Sequence, residues 1–159
     1  MKRVVPLALS PVSAMVVCLL FLSPSSAQEA GLEIGGVVPD FTLPDTYGEG
    51  HSIADARGSF VVLEWLNYGC PYVKKHYNSG NIQGLQEEFT AKGVRWFAIV
   101  SSAPGRQGYY EPEEMNQVSA EQESKASAVL LDPSGEVGRL YRAQVTPHMM
   151  VIDPEGKLI

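Results

Sequence analysis

The stretch Phe60–Tyr77, FVVLEWLNYGCPYVKKHY, constrains this chain more than any other. An apolar run rich in β-branched residues, Phe60 to Leu63, reads as a strand. Trp65 and a short loop follow, and Cys70-Pro71 then opens a helical segment that carries Lys74, Lys75 and His76. Proline suits the first helical position, where its missing N–H costs no hydrogen bond and its φ is already helical. Cys70 therefore falls at the N-cap. Unpaired N–H groups and the positive end of the helix dipole favour a thiolate there, which lowers the thiol pKa and makes the sulfur nucleophilic. Lys74, one turn further along on nearly the same side of the helix, is the nearest cation in sequence.

On either side of this unit, strand and helix patterns alternate. Val37–Leu43 reads as an edge strand, which is what its neighbours Pro39 and Pro44 permit. Asp45–Gly50 is rich in turn residues, and His51 after it reads as a solvated histidine. Beyond the break at Asn78-Ser79-Gly80-Asn81, a second helical run sets Ile82, Leu85 and Phe89 on one face and stops at Gly93. Val94–Val100 is a continuous apolar run, as expected of a buried parallel strand. The loop 103–112 is long enough to border the cysteine. An acidic helix over Glu113–Lys125, a strand over Val129–Leu131, a helix over Glu136–Tyr141 and a strand over Met149–Ile152 complete an α/β pattern. The strand–helix–strand order puts Cys70 at the carboxyl edge of the sheet, where open α/β folds place their ligands.

Three segments carry a wider likeness: Val38-Pro39-Asp40-Phe41-Thr42-Leu43-Pro44, the strand to Cys-Pro unit, and Val145-Thr146-Pro147-His148-Met149-Met150-Val151-Ile152-Asp153. On these residues the chain resembles the thioredoxin-like superfamily, most closely its bacterial redoxin branch (AhpC/TSA, peroxiredoxin-like). The resemblance implies a thioredoxin-like α/β fold over residues 37–159, with a central mixed sheet flanked by helices, and a redox activity without a bound cofactor. It makes Thr146-Pro147 the counterpart of the family's cis-proline loop, which lies against the reactive cysteine. Glu64 becomes the counterpart of a buried acid that moves protons to and from sulfur, and Trp65 that of an aromatic packed beneath the site. Pro71, Trp65, Asn67, Thr146 and Pro147 would border the substrate. The chain departs from the family's patterns at two places. Val73 stands where a CxxC motif has its second cysteine, so dithiol chemistry within one site is unavailable. Leu63 and Asn67 stand where the peroxiredoxin pattern PxxxTxxC has Pro and Thr, and no residue matches the arginine that activates peroxide. The sequence stops at Ile159, within what the resemblance treats as a hairpin partner strand begun at Lys157, so the rest of that strand and a closing helix are expected beyond it.

Met1–Ala27 is a different kind of segment. Lys2 and Arg3 are followed by no charge until Glu29, with an apolar run from Ala14 to Leu22 and Ser25-Ser26-Ala27 behind it. That is the pattern of a secretory signal peptide cleaved after Ala27, with a retained anchor as the alternative. Residues 28–36 read as a flexible lead-in. Cleavage takes the formal charge from −6 to −8 by removing Lys2 and Arg3, and it removes Cys18, leaving Cys70 as the only cysteine. The expected location is periplasmic or otherwise exported, without stable membrane insertion. So acidic a chain lacks the electrostatic footprint of a nucleic-acid or anionic-membrane binder. A lone thiol in an oxidising compartment forms no internal disulfide, and it is either buried or used.

Three functions fit these residues. In the first, the Cys70 thiolate attacks a disulfide or a peroxide, Glu64 relays the proton, Lys74 favours the thiolate, and an external thiol reductant completes the cycle. In the second, Cys70, His148 and Met149 or Met150 form a binding site of soft donors suited to copper(I). The third is a redox-inert scaffold with a buried, unreactive Cys70.

Overall fold

In the computed structural model, which describes residues 32–159, a short antiparallel hairpin of β1 (Thr42–Pro44) and β2 (Gly50–Ser52) precedes the main sheet. The sheet is built from β3 (Val61–Trp65), β4 (Arg95–Val100), β5 (Ala128–Leu131) and β6 (His148–Ile152). Helices α1 (Pro71–Asn78) and α2 (Asn81–Thr90) connect β3 to β4, α3 (Pro112–Glu121) lies between β4 and β5, and α4 (Glu136–Leu140) between β5 and β6. The strand order is β5-β4-β3-β6. β3, β4 and β5 run parallel, and β6 runs antiparallel to β3. This is the expected mixed sheet flanked by helices. The leader expected over residues 1–27 lies outside the described residues.

β3 is central, and every one of its residues is buried. Successive side chains of a strand point to opposite faces, so β3 feeds two cores. Val61, Leu63 and Trp65 pack with Phe41, Ile53, Phe97, Ile99, Leu130 and Tyr141 on one face. Val62 and Leu66 pack with Tyr68, Val73, Tyr77, Ile82, Trp96 and Met115 on the other. Each fully buried aliphatic or aromatic side chain is worth about 1.5–3 kcal/mol in transfer free energy, so the doubly covered strand anchors the domain. The segment after it inherits that rigidity.

Several local expectations are corrected. The strand read over Val37–Leu43 is confined to Thr42–Pro44, because its ladder partner is the short β2; Val37 instead bridges Lys157. Of the segment read as a loose lead-in, the described part is pinned: Leu32 packs on the core, and Gly35 N–H donates to the Leu158 carbonyl at 2.7 Å. His51 is not solvated. It is half-buried on β2, with Nε2 3.1 Å from Asp45 Oδ2 and its ring 5.4 Å from that of Phe97. On α2 the inward face is Ile82 and Gln86, while Leu85 and Phe89 line an apolar groove of about 620 Å³ with Phe60, Val94, Met149 and Val151. The acidic helix ends four residues early. Glu123 takes a left-handed φ of 53°, and Ser124 N–H turns back to the Ser119 carbonyl at 3.0 Å, a helix-ending geometry. Its Glu113, Glu114 and Glu121 are exposed as expected.

Candidate active site around Cys70

β3 ends at Trp65, and the chain reaches α1 through Leu66–Cys70. Cys70 is the N-cap, with extended φ −72° and ψ 131°, and Pro71 takes the first helical position. α1 and α2 meet at Gly80, whose φ of 71° is left-handed and costs glycine nothing. Both helices therefore sit on one face of the sheet, with Cys70 at the carboxyl end of β3.

Cys70 is half-buried and is the free cysteine among the described residues. Its thiol donates to the Thr146 carbonyl at 3.2 Å, and the Thr146–Pro147 peptide is cis. Contact with the Thr146 side chain is the largest influence drawing the thiol below its ordinary value, followed by the N–H of Val73; slight burial works the other way, and the N–H of Tyr72 adds to the lowering. The carbonyl contact alone favours the protonated sulfur. The Thr146 side chain and the N–H groups at the start of α1 favour the thiolate and outweigh that contact, without a cap bond from the helix to the sulfur. Lys74 contributes differently from expectation: its side chain is exposed, and what it offers Cys70 is its backbone N–H, 2.9 Å from the Cys70 carbonyl.

Glu64 is fully buried on the face that also carries α1 and α2. Its Oε1 accepts from Tyr77 Oη at 3.1 Å, and its Oε2 accepts from Gln86 Nε2 at 3.1 Å and Trp96 Nε1 at 2.7 Å. Burial raises its carboxyl above the ordinary range, and the bonds from Trp96, Gln86 and Tyr77 only partly offset this. Among the described residues no hydrogen bond joins Glu64 to Cys70. Tyr77, Gln86 and Trp96 escaped the sequence reading. Gln86 alone had a signal there, lying four residues after Ile82 on the same helical face.

Trp65 is buried as expected and packs beneath the edge of the site. Its ring lies 5.5 Å from that of Tyr141 and 6.1 Å from that of His148. Asn67 is half-buried and spends its side chain on the loop itself: Oδ1 accepts from Gly69 N–H at 2.8 Å, and Nδ2 donates to the Gln107 carbonyl at 3.1 Å. A polar cleft of about 280 Å³ runs between Trp65–Asn67, Ser101–Ser102 and Ala143–Thr146, so Asn67 and Thr146 do border an open space. Pro71 is exposed and Pro147 half-buried. In the copper set Met149 does not join His148, whereas Met150, opposite Leu63, lies on the His148 face. Trp65 pairs with His148 and Glu64 with Met149 across the β3–β6 ladder, so the two candidate ligands point to opposite faces. Met149 lines the apolar groove with Trp96, away from the His148 face.

The AhpC/TSA family pattern matches residues 34–159. The chain belongs to the AhpC/TSA family. A search of curated proteins finds no match. Among solved structures, the thioredoxin domain of a thiol-disulfide oxidoreductase from Bacteroides vulgatus is 24% identical with a TM-score of 0.63, covering 81% of this chain and 87% of that one. A thiol:disulfide interchange protein from Bacteroides sp. is 25% identical with a TM-score of 0.63, over 80% and 79%. An uncharacterized conserved protein from Geobacillus kaustophilus is 25% identical with a TM-score of 0.72, over 81% and 68%. The family and these neighbours establish a thioredoxin-like fold and a thioredoxin-like redox class for this AhpC/TSA chain. No helix among the described residues is long and apolar enough to cross a membrane.

Proposed function

We propose that this AhpC/TSA protein is an exported thiol-dependent oxidoreductase in which Cys70 is the nucleophile, acting on disulfides with an external thiol as the second substrate. The observation that supports this most is the position of Cys70: an N-cap sulfur at the carboxyl edge of the sheet, against the cis Thr146–Pro147 peptide, with its thiol drawn below the ordinary value. The thiolate attacks the nearer sulfur of a disulfide, an S–S bond forms to Cys70, and the departing sulfur leaves as a thiolate that takes a proton from water. With Val73 where a second cysteine would be, the mixed disulfide is resolved by an external thiolate, which frees Cys70 and carries off the substrate sulfur as a new disulfide.

A second reading, favoured by the family itself, is peroxide reduction. Cys70 attacks the terminal oxygen, the O–O bond breaks to give a sulfenic acid and an alkoxide or hydroxide, and two external thiols return Cys70 to the thiol with loss of water. Both readings make Cys70 the first nucleophile. The test is the pH dependence of Cys70 alkylation in the full chain carrying Cys18→Ser, where no other thiol remains. A midpoint well below that of a free thiol, with turnover abolished by Cys70→Ser, is expected. A midpoint at or above the free value would leave the inert scaffold as the better account.

A further inference from the structure

We propose that Gln107 is a positioning residue for Cys70, acting through the Gly69–Cys70 peptide. The proposal rests on the reading of Cys70 as the nucleophile. The loop after β4 turns twice, with Arg106 N–H on the Ala103 carbonyl at 3.0 Å and Tyr109 N–H on the Arg106 carbonyl at 3.1 Å, and this presents Gln107 to the segment before α1. Gln107 Nε2 donates to the Gly69 carbonyl at 3.3 Å, while the Gln107 carbonyl accepts from Asn67 Nδ2 at 3.1 Å. Asn67 Oδ1 holds Gly69 N–H at 2.8 Å, and the Asn67 carbonyl holds Cys70 N–H at 2.8 Å. Both polar groups of Gly69 and the N–H of Cys70 are thus tied to Asn67 or Gln107.

Two glycines make the approach possible. A Cβ on Gly69 would stand 2.8 Å from Gln107 Cγ, inside contact distance, and a Cβ on the buried Gly108 would run into the Asn67 side chain. The Gln107 side chain therefore lies flat across Gly69, clamping the peptide that sets the backbone of the N-cap cysteine. Cys70 keeps its sulfur 3.2 Å from the Thr146 carbonyl, at the N-terminal end of α1, only while that backbone is held. Freed of Gln107, the N-cap turn samples other conformations, and the thiolate loses part of its stabilisation. Gln107 touches neither the sulfur nor the substrate, so its effect is read in the thiol titration.

The experiment measures alkylation rate against pH in the full Cys18→Ser chain and in its Gln107→Ala, Gln107→Met, Gly69→Ala and Gln107→Ala/Gly69→Ala derivatives. Methionine keeps the length and the packing but has no donor. Expected is an upward shift of the Cys70 midpoint in both Gln107 variants, lowering the thiolate fraction below the midpoint about three- to tenfold, the worth of one net hydrogen bond. Gly69→Ala alone gives a comparable loss, and in the Gln107→Ala background it adds almost nothing, because the atoms it would strike are gone. Gln107 is exposed, so unchanged thermal midpoints are expected to accompany these shifts. The proposal is overturned if Gln107→Met keeps the parent profile, or if the Gly69 and Gln107 losses multiply. A parent midpoint at the free-thiol value counts against Cys70 as nucleophile, and the comparison of variants with parent still decides the role of Gln107.

Discussion

Replacing Trp96 with phenylalanine isolates one interaction inside the domain and tests whether Glu64 is ionised there. Trp96 Nε1 makes the shortest of the three bonds to the Glu64 carboxylate, 2.7 Å, in a site with no solvent exposure. A hydrogen bond to a charged group is worth about 1.5–3 kcal/mol, a large part of a typical domain stability of about 5–15 kcal/mol. The smaller ring adds a packing cost that does not depend on pH, so the pH dependence of the loss separates the two. Glu64 has a raised carboxyl in the folded state. Below the ordinary carboxylate range both states are protonated. As pH rises through that range the unfolded chain ionises first, so stability falls until the folded carboxyl also titrates, and then levels off. Removing a donor raises the folded value further, which deepens that fall. Urea unfolding followed by the fluorescence of Trp65, the remaining tryptophan, should show a midpoint loss that grows with pH. At a slope of about 1–3 kcal/mol per molar urea, the pH-dependent part is about 1 M. A loss of the same size at every pH would refute the reasoning, because it would mean that Glu64 carries no charge for Trp96 to stabilise.

Two further outcomes concern the sulfur. Thr146→Val keeps the shape of the residue and removes its hydroxyl, so the Cys70 alkylation midpoint should move up, with about a fivefold loss of thiolate at fixed pH below it; an unmoved midpoint would assign the lowering to the helix N–H groups alone. Lys74→Met should leave the midpoint in place, and so should salt, which screens exposed charges beyond about 3 Å at 1 M; a midpoint that climbs with ionic strength would restore the lysine as the main source of thiolate stabilisation.

The parts of the fold that were legible in the sequence are those set by local pattern. The short β-branched and apolar runs of β3 and β4 read as buried strands, and Pro71 suits the first helical position, so the N-cap cysteine is legible in the sequence. The cis peptide at Thr146–Pro147 was readable through family likeness. The missed features depend on partners far apart in the chain. β2 has no apolar alternation and exists because β1 pairs with it. His51 is drawn inward by Asp45 and the Phe97 ring, and neither contact has a signature in the residues around His51. Leu85 and Phe89 sit on the apolar side of α2 by spacing, yet the face that turns inward is decided by Gln86, because its carboxamide satisfies Glu64 and also accepts Lys125 N–H at 2.7 Å. Gln107 lies in a loop whose composition marks only turns, and its meaning comes from Gly69, 38 residues away.

The same geometry bears on where the Cys70 proton goes. A relay through Glu64 requires a free acceptor lone pair aimed at the sulfur. Three bonds reach the carboxyl group, from Tyr77 to Oε1 and from Gln86 and Trp96 to Oε2, so of its about four acceptor sites one is left, on Oε1, and no hydrogen bond runs from it to Cys70 among the described residues. The sulfur is half-buried beside Thr146, which borders the polar cleft. The groups that draw the Cys70 thiol below its ordinary value belong to the first turn of α1 and to Thr146. The donors on Glu64 come from the last turn of α1, from α2 and from β4. The two groups share no hydrogen bond among the described residues, the loop from β3 to α1 joins them along the chain, and the side of the sulfur next to Thr146 is the one that faces the cleft.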